Sequence, residues 1–492
     1  MSKGKNMMRR VILLGVILFL AAAFAGAAGE EALKIKMPET VKGYTPCTIR
    51  IQSPFAGEAE MRMLDPNDNL WRVIRTPVSA GENKIAWDGL GENLERMFAG
   101  PYRFEITVTG ENGETVRGTA KFEISGTTPT LVYALPSSET LYLDGSQEWF
   151  VELYVSASCT VDMEIRDGKT LLRKEKIRTS YQSETVRVTG QKGAMFRWNG
   201  SLGSSGKTLQ PGDYTLVFYS ENNPDYSVTC PLHAEEGPCP AYEVGPTGPV
   251  VPERGMTDEE IWEIMMKPSV VINGAGQGVL HPFELYAEPS SRSKVTGSVR
   301  GDTQGLEVLS TDGKWAYVRA YNYKDSRECE GYIRMDRLRV ELPQKHYGLL
   351  IDKRDQTLTV YLDGKPVGTV AVSTGKPANH QYETAAGAFL TAIRDQGGSF
   401  AQEGFRYEYP IRYNAGNMIH GLGYTRVGRP RDYSRNLPQL GEKATHGCIR
   451  VSSFVTEECP INLFWIWTRA PYHTRVIILD DGEGMETDNE DS

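Results

Sequence analysis

The chain has no basic run able to neutralise phosphates. Its net charge is −9, which argues against a nucleic-acid partner. It has no Cys-x-x-Cys and no His-x-x-x-His, so the usual spacings of a structural zinc site are missing. Long helical stretches are scarce. After the first thirty or so residues no second long apolar run occurs. The seven cysteines form no dense framework, and an odd number leaves at least one thiol unpaired or bound between molecules. Pairs such as Cys159 with Cys230 stay open.

What is present is length and turn chemistry. The 492 residues exceed what one core usually serves, so several domains are expected. Apolar content of 40% and charged content of 24% are those of globular proteins, and the 50 glycines suit short strands and turns. Lys3, Lys5, Arg9 and Arg10 precede an apolar run over 11–28, which ends in small residues with Ala-x-Ala patterns. This reads as a signal peptide over 1–28, with an uncleaved anchor as the alternative. The expected location is therefore outside the cytoplasm, secreted and wall-associated. The end of the chain, 481–492, holds no Lys or Arg and reads as an acidic solvated tail.

Residues 30–125 and 126–235 both alternate apolar and polar positions. Each carries a Trp-Asp/Asn-Gly and then a Gly-x-Tyr: Trp87-Asp88-Gly89 with Gly100-Pro101-Tyr102, and Trp198-Asn199-Gly200 with Gly212-Asp213-Tyr214. The repeat predicts two similar β-sandwich modules. They resemble the immunoglobulin-like modules of exported bacterial proteins, and serve here as spacers or as docking units for the wall or a protein. A Pro-rich linker and short helix occupy 236–269, with a capping box at Thr257 and Glu260 and a stop at Pro268. Residues 270–341 resemble a bacterial SH3-like domain. A last domain over 345–480 opens with a hairpin turning at Asp363-Gly364. The fold class expected is mainly β and multidomain: two β-sandwich modules, an SH3-like barrel and a mixed β-sandwich catalytic domain.

Thr445-His446-Gly447-Cys448-Ile449-Arg450 carries the chemistry. Glycine beside cysteine allows a tight turn and close approach of a substrate, and successive backbone N–H groups there can hold an oxyanion. An imidazole at His420-Gly421 can take the thiol proton. The residues alone leave Cys448 as nucleophile, as buried small hydrophobe, as a disulfide partner of Cys459, or as a zinc ligand with His420 and His446.

This segment resembles the active-site motif of the L,D-transpeptidases (YkuD-like), in which Ser or Thr, His, Gly and Cys follow one another. His420-Gly421 matches the upstream His-Gly of that family. Ile411-Arg412-Tyr413-Asn414, Ser373-Thr374-Gly375-Lys376 and Thr384-Ala385-Ala386-Gly387-Ala388-Phe389 match as well, as do the opening hairpin, a late helix near 463–467 and a final strand over 476–479. The resemblance implies catalytic Cys448 and His420, and support of the oxyanion and pocket by His446, Gly447 and Gly421. Arg450 and Tyr424 are the expected substrate contacts. No metal and no cofactor is implied. Peptidoglycan stem peptides ending in D-Ala would be the partners, and carbapenems would acylate Cys448. An L,D-carboxypeptidase and a non-catalytic wall-binding protein are the alternatives. The stretch between His420 and Thr445 is longer than in compact members and reads as an insertion forming a lid or rim.

Overall fold

A computed structural model describes residues 32–481, apart from 204–205, 275–276, 279, 377–381, 395–396, 427–430 and 457–458. The expected signal peptide and nearly all of the acidic tail lie outside the described residues. Their regular structure is mostly strand, with α-helices at Asp258–Met265 and Leu463–Arg469.

Two sandwiches come first. One packs the sheet Lys34–Lys36, Cys47–Ser53, Gly81–Trp87 against a five-stranded sheet that includes Gly57–Leu64 and Gly100–Gly110. The next packs Leu131–Pro136, Phe150–Val155 and Met195–Arg197 against a six-stranded sheet. The repeated tryptophan marks the same turn in both. Trp87 Nε1 donates to Leu90 O at 2.9 Å, and Trp198 Nε1 donates to Ser201 O at 2.9 Å. The glycines between them, Gly89 and Gly200, sit at φ +80 and +82, where a side chain is disfavoured. At Gly89 an added Cβ would also lie 2.6 Å from Lys42 O.

The helix Asp258–Met265 begins with the expected capping box, Thr257 accepting from Glu260 N–H and Glu260 accepting from Thr257 N–H. Its C-terminal end is fixed to the last domain by the buried Arg475, which donates to the carbonyls of Met265 and Lys267. A five-stranded sheet then runs Val295–Arg300, Pro282–Tyr286, Glu328–Arg334, Trp315–Tyr321, Glu307–Thr311.

The last domain is built on a nine-stranded sheet. Its centre is Arg475–Leu479, Tyr347–Asp352, Thr357–Leu362, Lys365–Ser373, then Ile449–Val451, Asn417–His420 and Ile411–Asn414 at one side. The hairpin turn has Asp363 at φ +48 and Gly364 at φ +81, the two left-handed residues that a tight hairpin needs. The opposite edge strand, Gln304–Gly305, comes from the segment expected to be SH3-like, so that boundary is shared rather than clean.

The modules are not beads on a string. One continuous apolar core joins the second sandwich (Tyr133, Val151, Tyr154) to the last domain (Ile411, Phe464, Trp467). A second core joins the first sandwich to Leu422, Tyr424, Tyr433 and Phe454. This overturns the reading of the stretch after His420 as a lid. Its described part is apolar where it meets the first sandwich, and it is buried there. Between second sandwich and last domain, the buried Arg394 donates to Glu152 at 2.7 Å through both its backbone N–H and Nη1.

Removing one member of such a pair leaves a buried charge uncompensated. Arg394→Met is expected to cost about 3–5 kcal/mol, and Glu152→Leu with Arg394→Met clearly less. Chemical denaturation of both variants measures this. The shared core further predicts that the second sandwich and last domain unfold in one transition in the native chain. Two separate transitions there would contradict it.

Candidate active site

Strands Asn417–His420 and Ile449–Val451 run parallel, with Ile419 opposite Ile449 and His420 opposite Arg450. Side chains two apart on a strand share a face, so Cys448, just ahead of its strand, shares a face with Arg450 and His420. The ring of Tyr407 lies 4.7 Å from the imidazole. Phe400 stands edge-on at 5.3 Å.

The imidazole is 3% exposed, and Nδ1 lies 2.8 Å from Gly421 O. Nδ1 therefore carries the proton, and Nε2 is left as the acceptor. Burial pushes the His420 value down to about 4, the nearby Arg450 acts in the same direction, and the Gly421 contact opposes them. Burial likewise raises the half-buried Cys448 thiol, against the pull of the Met418 N–H, Arg450 and Arg412. Both groups are thus neutral near neutrality, and both face Arg450.

Gly447 adopts φ +100, and a Cβ there would crowd Asn417 at 3.1–3.2 Å. Its carbonyl accepts from two fully buried hydroxyls, Thr384 Oγ1 and Tyr413 Oη, each at 3.1 Å. Thr384 Oγ1 in turn accepts from Gly375 N–H at 2.8 Å. In a trans peptide the N–H points opposite to the carbonyl. Pinning Gly447 C=O inward therefore turns the Cys448 N–H outward, where an oxyanion would form. Thr445 Oγ1 closes the same turn by donating to Cys448 O at 2.6 Å.

The other expected residues are placed as follows. Gly421 is required by close approach, since a Cβ would meet Ser453 Oγ at 2.9 Å. His446 is exposed, its ring 4.3 Å from Tyr382 and its Nδ1 3.7 Å from Glu403. Arg450 donates to Gln439 at 2.8 Å, its guanidinium lies 5.9 Å from the centre of the Tyr407 ring, and its buried Nε has no hydrogen-bond partner among the described residues. Tyr424 is a correction. It is fully buried against Tyr433 and Arg431 in the seam with the first sandwich, out of reach of a substrate. All seven cysteines are free thiols, including Cys159, Cys230 and Cys459. Sequence reading missed Phe400 and Tyr407. Their hairpin, Ser399–Gln402 with Phe405–Glu408, turns at Glu403-Gly404, both at positive φ, a signal that was legible. Glu383, Asp480 and Asp481 form the acidic cluster found among the described residues, and the Lys353 ammonium sits within it, 2.6 Å from Glu383 and 3.0 Å from Asp480.

The Cys448 thiol thus precedes the strand Ile449–Val451, which runs parallel to the strand ending in the neutral His420 imidazole, and the Gly447 carbonyl is held by Thr384 and Tyr413. Residues 346–478 match the family model of the YkuD L,D-transpeptidase catalytic domain, and this part of the chain is such a domain. Among solved structures, an L,D-transpeptidase from Xylanimonas cellulosilytica is 21% identical over 27% of this chain and 60% of its own, with a TM-score of 0.20. One from Mycobacterium smegmatis is 16% identical over 41% and 93%, with a TM-score of 0.22. One from Mycobacterium tuberculosis is 13% identical over 55% and 91%, with a TM-score of 0.23. No curated protein matches the chain.

Two outcomes follow from this geometry. Thr384→Val and Tyr413→Phe should each slow acylation of Cys448 about 10- to 100-fold, while its alkylation by iodoacetamide, which forms no oxyanion, stays close to wild type. Equal losses in both reactions would refute the oxyanion role. In addition, His420 is protonated only below about 4, against an ordinary 6.5, so the acid limb of the acylation rate should lie near 4. By the same shift, the stability its burial contributes is complete above 6.5 and is lost as pH falls towards 4.

Proposed function

We propose that this protein is a cell-wall L,D-transpeptidase that works through a thioester on Cys448. The observation that carries the reading is Cys448 next to the strand that runs parallel to that of a buried, neutral His420, with the Gly447 carbonyl held by Thr384 and Tyr413, inside a domain of the YkuD family. The donor is a peptidoglycan tetrapeptide stem ending in D-Ala. Nε2 of His420 takes the thiol proton as Cys448 attacks the carbonyl of the third residue. The C–N bond breaks, the C–S bond forms, and the proton leaves with the D-Ala amine. The thioester then passes to the side-chain amine of a neighbouring stem. His420 removes the proton of that amine, and a cross-link results. Water in place of the amine gives the carboxypeptidase reaction at the same site.

The Cys448 N–H supplies the oxyanion contact, and such contacts are a large part of acyl-transfer catalysis. Arg450, whose guanidinium charge acts on Cys448, holds a carboxylate of the stem. Stems of this kind lie outside the cytoplasm, which agrees with the export read from residues 1–28.

The test is intact mass after incubation of the chain lacking residues 1–28 with a carbapenem, beside Cys448→Ala. One adduct per chain, lost in the variant, is expected. A folded protein without an adduct would contradict the reading and favour the wall-binding alternative. Incubation with tetrapeptide stems then separates dimer formation from simple release of D-Ala.

A further inference from the structure

Glu184 stands on a turn of the second sandwich, yet it is surrounded by the last domain. The turn joins Thr170–Gln182 to Thr185–Val188, and both Ser183 (φ +49) and Glu184 (φ +66) are left-handed. Residues with side chains rarely adopt that conformation, and it persists where surroundings impose it. The surroundings are specific. Glu184 O accepts from Gly398 N–H at 2.7 Å and from Tyr154 Oη at 3.2 Å. Its carboxylate accepts from Arg431 Nη2 at 3.0 Å, and the Arg431 guanidinium also pairs with Glu408.

Gly398 and Glu408 are the two ends of the hairpin that carries Phe400 and Tyr407 against His420. Tyr409 N–H closes those ends onto Gly398 O at 2.9 Å. From the Glu408 end the path is short. Glu408 O accepts from Gly421 N–H at 2.8 Å, and Gly421 O accepts from His420 Nδ1 at 2.8 Å. Backbone and carboxylate of Glu184 thus hold both ends of the active-site hairpin at once.

We propose that Glu184 is a positioning residue, through which the second sandwich fixes the hairpin and the imidazole of His420 in the catalytic domain. The module expected to be a spacer is then a structural part of the active site. The proposal rests on the catalytic reading of Cys448 and His420. It predicts that loosening Glu184 lets water reach the imidazole between Tyr407 and Arg450.

Two variants of the full chain test it. Glu184→Gln removes the charge that Arg431 pairs with. Gly398→Ala leaves every side chain of the site in place, but its Cβ would lie 2.2 Å from Tyr154 Oη and wedge the hairpin away from the sandwich. Folding is checked by circular dichroism. Both variants should acylate with a carbapenem about tenfold or more slowly at saturation, with the half-saturating concentration little changed. Their acid limb should also move up towards the ordinary imidazole value. Folded variants with a wild-type rate and limb would overturn the proposal. Loss of folding in both would make Glu184 a stability residue and overturn it equally. A wild-type Cys448 that alkylates like a free thiol and takes no acyl group would instead refute the catalytic reading beneath it.

Discussion

The structure turns on one buried cation. Arg431 is 6% exposed, and its guanidinium lies over the rings of Phe98 and Tyr424 at 3.1 and 4.2 Å while pairing with Glu184 and Glu408. Phe98 belongs to the first sandwich, Glu184 to the second and Glu408 to the catalytic domain. Burial disfavours the charged guanidinium and pulls its value down, while the carboxylates around it keep it charged. A cation in that position needs all three bodies present, because the loss of either carboxylate leaves it undercompensated. The contact also explains why the stretch after His420 is long. Its chain must leave the active site, lay Tyr424 and Tyr433 into the first sandwich's core, and return to Thr445.

Much of the catalytic domain was legible. The hairpin fell where alternation and Asp363-Gly364 put it, and the late helix and the last strand where the resemblance implied them. For Cys448 and His420 the residues alone left several readings open, and the resemblance of Thr445-His446-Gly447-Cys448 to the family motif singled them out; the tight turn expected at Gly447 is present, at φ +100. The repeat was legible because Trp87 and Trp198 do the same work, one hydrogen bond to the carbonyl three residues on.

What was not legible is what depends on contact between distant segments. Tyr424 and Arg431 read as a polar, aromatic rim because Arg, Tyr and Gly together suit a surface loop. Nothing local says that a tyrosine will meet an apolar core some 300 residues earlier. Glu184 was silent for the same reason. Two polar residues at a hairpin turn carry no sign that their backbone is held left-handed by a glycine more than two hundred positions away. Thr384 and Tyr413 were quoted only as parts of motifs. Their common task, both hydroxyls on one carbonyl, is a property of three separate segments brought together.

The seven thiols differ in the charges that face them. Burial raises most of them, and in this Cys448 does not stand apart. Cys47 is pushed up to about 11, and Cys230 and Cys329 to about 12. The difference lies in what else faces each sulfur. Cys47 faces Asp88, Cys230 faces Glu139, and Cys329 faces Asp325, Glu328 and Glu330. Each carboxylate opposes a thiolate in the same direction as burial does. Around Cys448 the signs reverse: a backbone N–H from Met418 and the guanidinium groups of Arg450 and Arg412 favour the anion. The thiol rests protonated, yet negative charge that develops on its sulfur during attack finds donors and cations in place. A thiolate needs such stabilisation only while the bond to carbon forms. Oxidants and metals, which act on a resting thiolate, meet a thiol instead. A neutral pair that charges only on attack is therefore consistent with the proposed thioester chemistry in a chain with seven free cysteines.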